Sequence, residues 1–176
     1  MELARQIDPL SLIVNALKAR AFFYAGRDAE AIEQANKTLE IEPNFWIAHI
    51  MLARIYIRQN RFDEAIAEAK KASEYSGGNR EAASLEALAL AKSERRDESS
   101  AILKELKSRS NQRYVPSYNI AMIENGLGSR EEVLNNLEKA FAEKDVRIIL
   151  LKVEPKWNNL RGEARFVELM RRMNLE

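Results

Sequence analysis

Few side chains in this sequence could do chemistry. His49 is the single imidazole among 176 residues, and there is no cysteine. A Ser-His-Asp arrangement needs an activated serine beside its base, and no Gly-x-Ser-x-Gly elbow occurs. A zinc centre needs several His, Cys or carboxylate ligands, which one histidine does not supply. His49 is therefore read as a packed structural residue. The missing cysteines exclude thiol catalysis and a disulfide scaffold but leave the compartment open. No Gly-x-x-x-x-Gly-Lys or Gly-x-Gly-x-x-Gly is present, and Gly126-Leu127-Gly128 reads as a helix-ending turn. Paired carboxylates occur at Asp63-Glu64 and Glu131-Glu132. Both pairs sit where a helix starts, a place that favours the helix dipole over acid–base work. Asn36-Lys37-Thr38 matches a glycosylation sequon but falls mid-helix and is read as incidental. No catalytic residue, metal ligand or cofactor is expected.

The charge balance narrows the partners. Against 28 Lys+Arg stand 27 Asp+Glu, a formal charge of +1. Proteins that coat nucleic acid draw their affinity from surplus cations, so direct nucleic-acid binding is not expected. The basic runs from Arg95-Arg96 to Arg113 and from Lys144 to Arg172 are interleaved with acids and read as solvated surface. No stretch approaches the roughly 20 apolar residues that span a bilayer, so no membrane insertion is expected. Met1-Glu2-Leu3-Ala4-Arg5 is not followed by the apolar core of a signal peptide. Cytoplasmic localisation is the expectation, with the periplasmic sensor part of a membrane-anchored regulator as the alternative.

The elements that would carry any site are helices. Six glycines and four prolines accompany abundant Ala, Leu, Glu, Lys and Arg, a composition that favours helix almost throughout. The length fits one domain or one compact array. Laid against itself at an offset of 34, the chain matches without gaps. In blocks starting at Leu12, Trp46, Arg80 and Tyr114, the eighth position is Ala19, Ala53, Ala87 and Ala121. The fifteenth, where a turn is expected, is Gly26, Asn60, Glu94 and Gly128. The twentieth holds Ala31, Ala65, Ser99 and Val133, and the twenty-fourth Ala35, Ala69, Leu103 and Leu137. Small residues at fixed places imply two closely packed helices per unit. Ser76-Gly77-Gly78-Asn79 and Ser108-Arg109-Ser110-Asn111 read as the turns between units.

Leu52-Ala53, Tyr56, Asn60-Arg61-Phe62-Asp63-Glu64-Ala65-Ile66 and Ala72 in the second block resemble the tetratricopeptide repeat, a helix–turn–helix unit of 34 residues. The first block shares the likeness through Ala25-Gly26-Arg27-Asp28-Ala29-Glu30-Ala31-Ile32 and Pro43-Asn44. The third and fourth depart from it, with Glu86 and Glu124 where Leu and Tyr are usual. The resemblance implies an all-α fold, a right-handed α–α superhelix of about four repeats (12–45, 46–79, 80–113 and 114–147). Residues 1–11, with Asp8-Pro9, would lead in from a preceding element, and residues 148–176 would form a capping segment whose last helix covers Glu163 to Met173.

In such arrays the first helix of each unit lines a concave groove. The resemblance implies Ile13, Arg20, Phe23, Tyr24, Ile47, Ile50, Arg54, Ile57, Arg58, Tyr118 and Met122 as groove residues. The Lys and Asn pairs with which some relatives grip a terminal carboxylate are absent. Arg20 and Arg54 instead stand among isoleucines and aromatics, suiting a protein or peptide segment with apolar anchors and an acidic group. The alternative is that some of these side chains only fill the tight curvature. Finally, Leu151-Lys152-Val153-Glu154-Pro155-Lys156-Trp157, Leu160-Arg161, Arg165-Phe166 and Leu169-Met170 look like the tail of bacterial multidomain signalling proteins. In these, tetratricopeptide repeats follow a winged-helix, nucleotide-cyclase or Ser/Thr kinase domain. That resemblance implies a non-enzymatic interaction scaffold in a signalling protein, or alternatively a self-associating regulatory module forming a homodimer.

Overall fold

The computed structural model describes residues 11–109 and 114–175. The expected lead-in up to Leu10 and the turn residues Ser110 and Asn111 lie outside them. Among the described residues the chain is all-helical. The helices are α1 (Leu12–Tyr24), α2 (Asp28–Ile41), α3 (Trp46–Arg58), α4 (Phe62–Tyr75), α5 (Arg80–Lys92), α6 (Arg96–Arg109), α7 (Ser117–Leu127), α8 (Arg130–Ala142) and α9 (Ala164–Arg172). Two 3-10 helices, Val146–Leu150 and Pro155–Leu160, link α8 to α9. The chain divides into two compact units at Glu86 and Ala87, within α5.

The first unit holds two helical hairpins, α1 with α2 and α3 with α4. Each reverses through a left-handed residue, Gly26 (φ 74°) and Asn60 (φ 58°). Beyond that residue the Arg27 N–H donates to the Phe22 carbonyl at 2.9 Å, and the Arg61 N–H to the Tyr56 carbonyl at 2.9 Å. These are the six-to-one bonds that close a helix end on a left-handed residue. The same arginines fold back over the ring they close on, Arg27 at 4.6 Å from the Phe22 centroid and Arg61 at 4.3 Å from that of Tyr56. No side chain caps the N-terminus of α2 or α4, but Asp28 and Glu30, or Asp63 and Glu64, sit in the first turn. There they meet the positive end of the helix dipole. Packing is made close by alanine: Ala19, Ala31, Ala35, Ala53, Ala65, Ala69 and Ala72 are fully buried. With no side chain beyond Cβ, they let the backbones approach. Ile55, Met51 and Phe23 fill the space left over.

The second unit repeats the plan with larger residues. Glu94 (φ 63°) and Gly128 (φ 78°) take the left-handed turn, closed by Arg95 N–H to Leu90 O at 2.9 Å and Ser129 N–H to Glu124 O at 3.0 Å. Its core contains Leu88, Leu90, Leu103, Leu106, Ile120, Ile123, Leu134 and Leu137. Gly126 lets α7 lie close against α5. A Cβ there would stand 2.9 Å from Ala91 Cβ and 3.0 Å from Leu88 Cδ1.

The start of α7 departs from the 34-residue phase. Helix α7 begins at Ser117, three residues after the Tyr114 that starts its 34-residue block, because Pro116 forms its N-cap. A residue before proline is disfavoured in helical geometry, which holds Val115 out of the helix. The tail, by contrast, keeps the period. Helices α2, α4, α6, α8 and α9 begin at Asp28, Phe62, Arg96, Arg130 and Ala164, each 34 residues after the last. The two 3-10 helices fill the interval where a first helix would stand. Arg165 anchors α9 on α8 through Glu138 Oε1 at 3.0 Å, Glu131 Oε1 at 2.6 Å and Asn135 Oδ1 at 2.9 Å.

Candidate protein-interaction surface

Helical spacing places Ile13, Leu17, Arg20 and Tyr24 on one stripe of α1, and Ile47, Met51, Arg54 and Arg58 on one stripe of α3. Both helices belong to the first unit. Ile13 and Arg20 are exposed, while Leu17, Tyr24, Ile47 and Arg58 are half-buried. The Tyr24 ring stands edge-on to Phe23, with centroids 5.3 Å apart.

The three arginines have different circumstances. Arg54 is almost enclosed, its side chain 9% exposed, and pairs with Glu81 at the start of α5. Its other nitrogen, Nη1, donates to the Tyr24 hydroxyl at 3.4 Å. Arg58 lies over the Phe23 ring at 3.9 Å, donates to the Phe23 carbonyl at 2.7 Å and pairs with Asp28. Both guanidiniums therefore tie α3 to neighbouring helices. Arg20 makes no ion pair among the described residues and keeps its charge toward solvent.

Several residues expected in the groove are interior instead. Phe23, Ile50 and Ile57 are buried. They lie off the open stripe, on the side of the helix turned toward its neighbours. Tyr118 and Met122, in the second unit, are also buried, and over Tyr118 the cover is the tail. Trp157 is fully enclosed against Tyr118, ring centroids 5.5 Å apart, and its Nε1 donates to the Tyr118 hydroxyl at 3.1 Å. Asn125 Nδ2 donates to the Lys156 carbonyl at 2.6 Å. Lys156 and Glu154 form an enclosed ion pair at 2.5 Å, with the ammonium 5.6 Å from the Tyr118 centroid. Phe23, Ile50, Ile57, Tyr118 and Met122, expected as groove lining, are thus buried in the chain. Of the other residues expected in the groove, Ile13 and Arg20 are exposed, Tyr24, Ile47, Arg54 and Arg58 are half-buried, and Arg54 and Arg58 are held by internal acids.

Sequence reasoning missed Glu81 and Asp28, the acids that hold Arg54 and Arg58. The available signal was spacing. In a 34-residue period, Glu81 at the second position of its block follows Arg54, at the ninth of the block before, by 27 residues.

His49 is buried with both ring nitrogens engaged: Nδ1 is 2.5 Å from Glu68 Oε2 and Nε2 is 2.9 Å from the Pro43 carbonyl oxygen. Its ring also lies 5.4 Å from that of Tyr75. Burial pushes the Glu68 carboxyl upward, but hydrogen bonds from His49 and Lys71 outweigh it and hold the group below the ordinary carboxylate range. His49 thus pins α3 to α4 and to the loop before α3. No helix among the described residues is long and apolar enough to cross a membrane.

Residues 22–88 match the family model of the tetratricopeptide repeat. The match runs from the end of α1 into α5 and so includes the Arg54–Glu81 pair. No curated protein matches the chain. Repeats of this family generally mediate protein–protein interaction, their helical-repeat fold is typically a non-enzymatic scaffold, and no catalytic family is indicated.

Proposed function

We propose that the first unit binds a protein segment across Ile13, Arg20, Tyr24 and Ile47, and that the segment brings an apolar anchor together with a carboxylate. The observation that carries this reading is Arg20. It is the one arginine of the stripe without an ion pair among the described residues, and it stands seven residues from the exposed Ile13 on the same helix face. A guanidinium offers a fork of donors that matches a carboxylate. The apolar neighbours supply burial, which is the larger share of binding energy in such grooves. Because Arg54 and Arg58 are held by internal acids, the floor of the surface is rigid, and little ordering entropy is lost on binding. The likeness of residues 151–170 to signalling-protein tails supports a role within a bacterial regulatory polypeptide, working in the cytoplasm.

Selection of a random peptide library on the protein tests the reading. Selected peptides are expected to combine Asp or Glu with Leu, Ile or Phe. Arg20→Glu should weaken them by about tenfold or more, the loss of a charge-assisted hydrogen-bonded pair worth about 1.5–3 kcal/mol. Peptides that bind the Arg20→Glu protein as tightly as the parent would overturn it.

A further inference from the structure

Between α8 and α9 the second unit carries an aliphatic ridge that neither its fold nor the proposed binding surface uses. Val146 is 78% exposed, Ile149 62% and Val153 48%. Val146 and Ile149 stand on the 3-10 helix Val146–Leu150, where residues three apart eclipse one another and share an edge. Ile148 and Leu151 turn inward and are buried, so the segment is anchored by one edge and bare on the other. Its frame is held firmly. The Asp145 side chain accepts from the Arg147 backbone N–H at 3.0 Å, and the Arg147 guanidinium bridges Asp145 and Asn119. A ridge held in this way loses little freedom when something covers it.

The surroundings say what that something is. Lys144 and Lys152 are exposed and, in the chain, fall on either side of the Val146–Leu150 segment. Arg161 is exposed as well and donates to the Lys152 carbonyl at 2.7 Å, which sets its side chain beside Val153. The carboxylates nearest in the sequence are internally engaged: Asp145 with Arg147, Glu154 with Lys156, and Glu143 with the Tyr114 hydroxyl at 2.9 Å. Three occupants suit an apolar ridge with a cationic border. A second copy paired antiparallel about a two-fold would set Lys144 against the Lys152 region of its mate, placing like charges together. An anionic bilayer draws on clusters of about four to eight basic residues, more than the Lys144, Lys152 and Arg161 that border this ridge. A protein segment with carboxylates beside its apolar positions meets neither obstacle.

We propose that the Val146–Ile149–Val153 ridge docks an acidic amphipathic protein segment, apolar residues on the ridge and carboxylates toward Lys144 and Arg161. The site is separate from the Arg20 surface. Fluorescence anisotropy on the full chain tests it with a labelled synthetic helix of leucines at i, i+3, i+4 and i+7 and glutamates elsewhere, beside a matched peptide carrying lysines. The expected result is binding of the glutamate peptide alone, at roughly micromolar Kd. Ile149→Asp should weaken it about tenfold or more and Lys144→Glu severalfold, while Arg20→Glu leaves it unchanged. Val146→Ser serves as the second variant if Ile149→Asp lowers the melting temperature. Failure of the glutamate peptide to bind, or equal binding by Ile149→Asp and Val146→Ser, overturns the proposal. So does equal binding of the lysine peptide. Cosedimentation with phosphatidylserine vesicles that is lost in Ile149→Asp, without peptide binding, assigns the ridge to membranes instead. Concentration-dependent sedimentation lost in the same variant, without peptide binding, assigns it to a second copy.

Discussion

The four left-handed turns within the helical hairpins make a graded experiment, because one backbone conformation recurs with different side chains on it. Gly26, Asn60, Glu94 and Gly128 all have φ between 58° and 78°. For an ordinary L-residue this region costs roughly 1–2 kcal/mol, and for glycine almost nothing. Glycine in turn loses more backbone entropy on folding, about 0.5–1 kcal/mol relative to alanine. The difference predicts that Glu94→Gly stabilises the chain by about 0.5–1 kcal/mol. Asn60→Gly should change little, since asparagine tolerates this conformation. Gly26→Ala and Gly128→Ala should each destabilise by about 1 kcal/mol. A Cβ at either glycine meets nothing within 4 Å, so the cost is backbone strain with no steric share. Urea unfolding followed by circular dichroism in the far ultraviolet reads these differences as midpoint shifts, and thermal unfolding should show roughly 2–4 °C per kcal/mol. If Glu94→Gly lowers stability, or if Gly128→Ala is neutral, backbone strain is not what distinguishes these positions.

The buried Ser99 hydroxyl has no hydrogen-bond partner among the described residues, at a position where Ala31 and Ala65 stand in other repeats. Ser99→Ala should therefore stabilise by about 1 kcal/mol in urea unfolding. Gly126→Ala should destabilise by about 1–2 kcal/mol, since overpacking against Ala91 and Leu88 exceeds the gain in helix propensity. Gly162→Ala, with open space around it, serves as its neutral control in the same melts. The Glu68 carboxyl titrates below the ordinary range in the folded chain. Its contribution to stability is then complete above the ordinary carboxylate value and is lost as pH falls through the folded value. Glu68→Gln should flatten stability across that acid window, as measured by unfolding midpoints at successive pH values. An unchanged acid slope would remove Glu68 as a contributor.

The helical frame was legible because it rests on local rules applied periodically. Alanine at positions eight and twenty, and a turn residue at fifteen, each report a steric demand that the residue itself meets. The interaction surface was less legible, since which way Ile50 or Phe23 faces depends on helices elsewhere in the chain. Arginine presented the same difficulty. Nothing local distinguishes Arg20 from Arg54, yet an acid 27 residues further on neutralises one and not the other. Composition carried no warning that the tail would cover Tyr118, because that depends on where Trp157 lands. The return of α9 to the 34-residue phase was hidden for a related reason. The segment before it forms 3-10 turns, which lack the 3.6-residue apolar rhythm by which a helix is recognised.

That phase has a consequence for construction. A 3-10 helix advances about 2.0 Å per residue where an α-helix advances about 1.5 Å. Residues 146–160 therefore cover their interval without a continuous helix, and α9 still lands where a second helix belongs. The interval between Arg130 and Ala164 is accordingly a splice site of known length. A whole 34-residue unit inserted after α8 would give α9 an equivalent helix to dock on only if it carried acids at the places of Glu131 and Glu138.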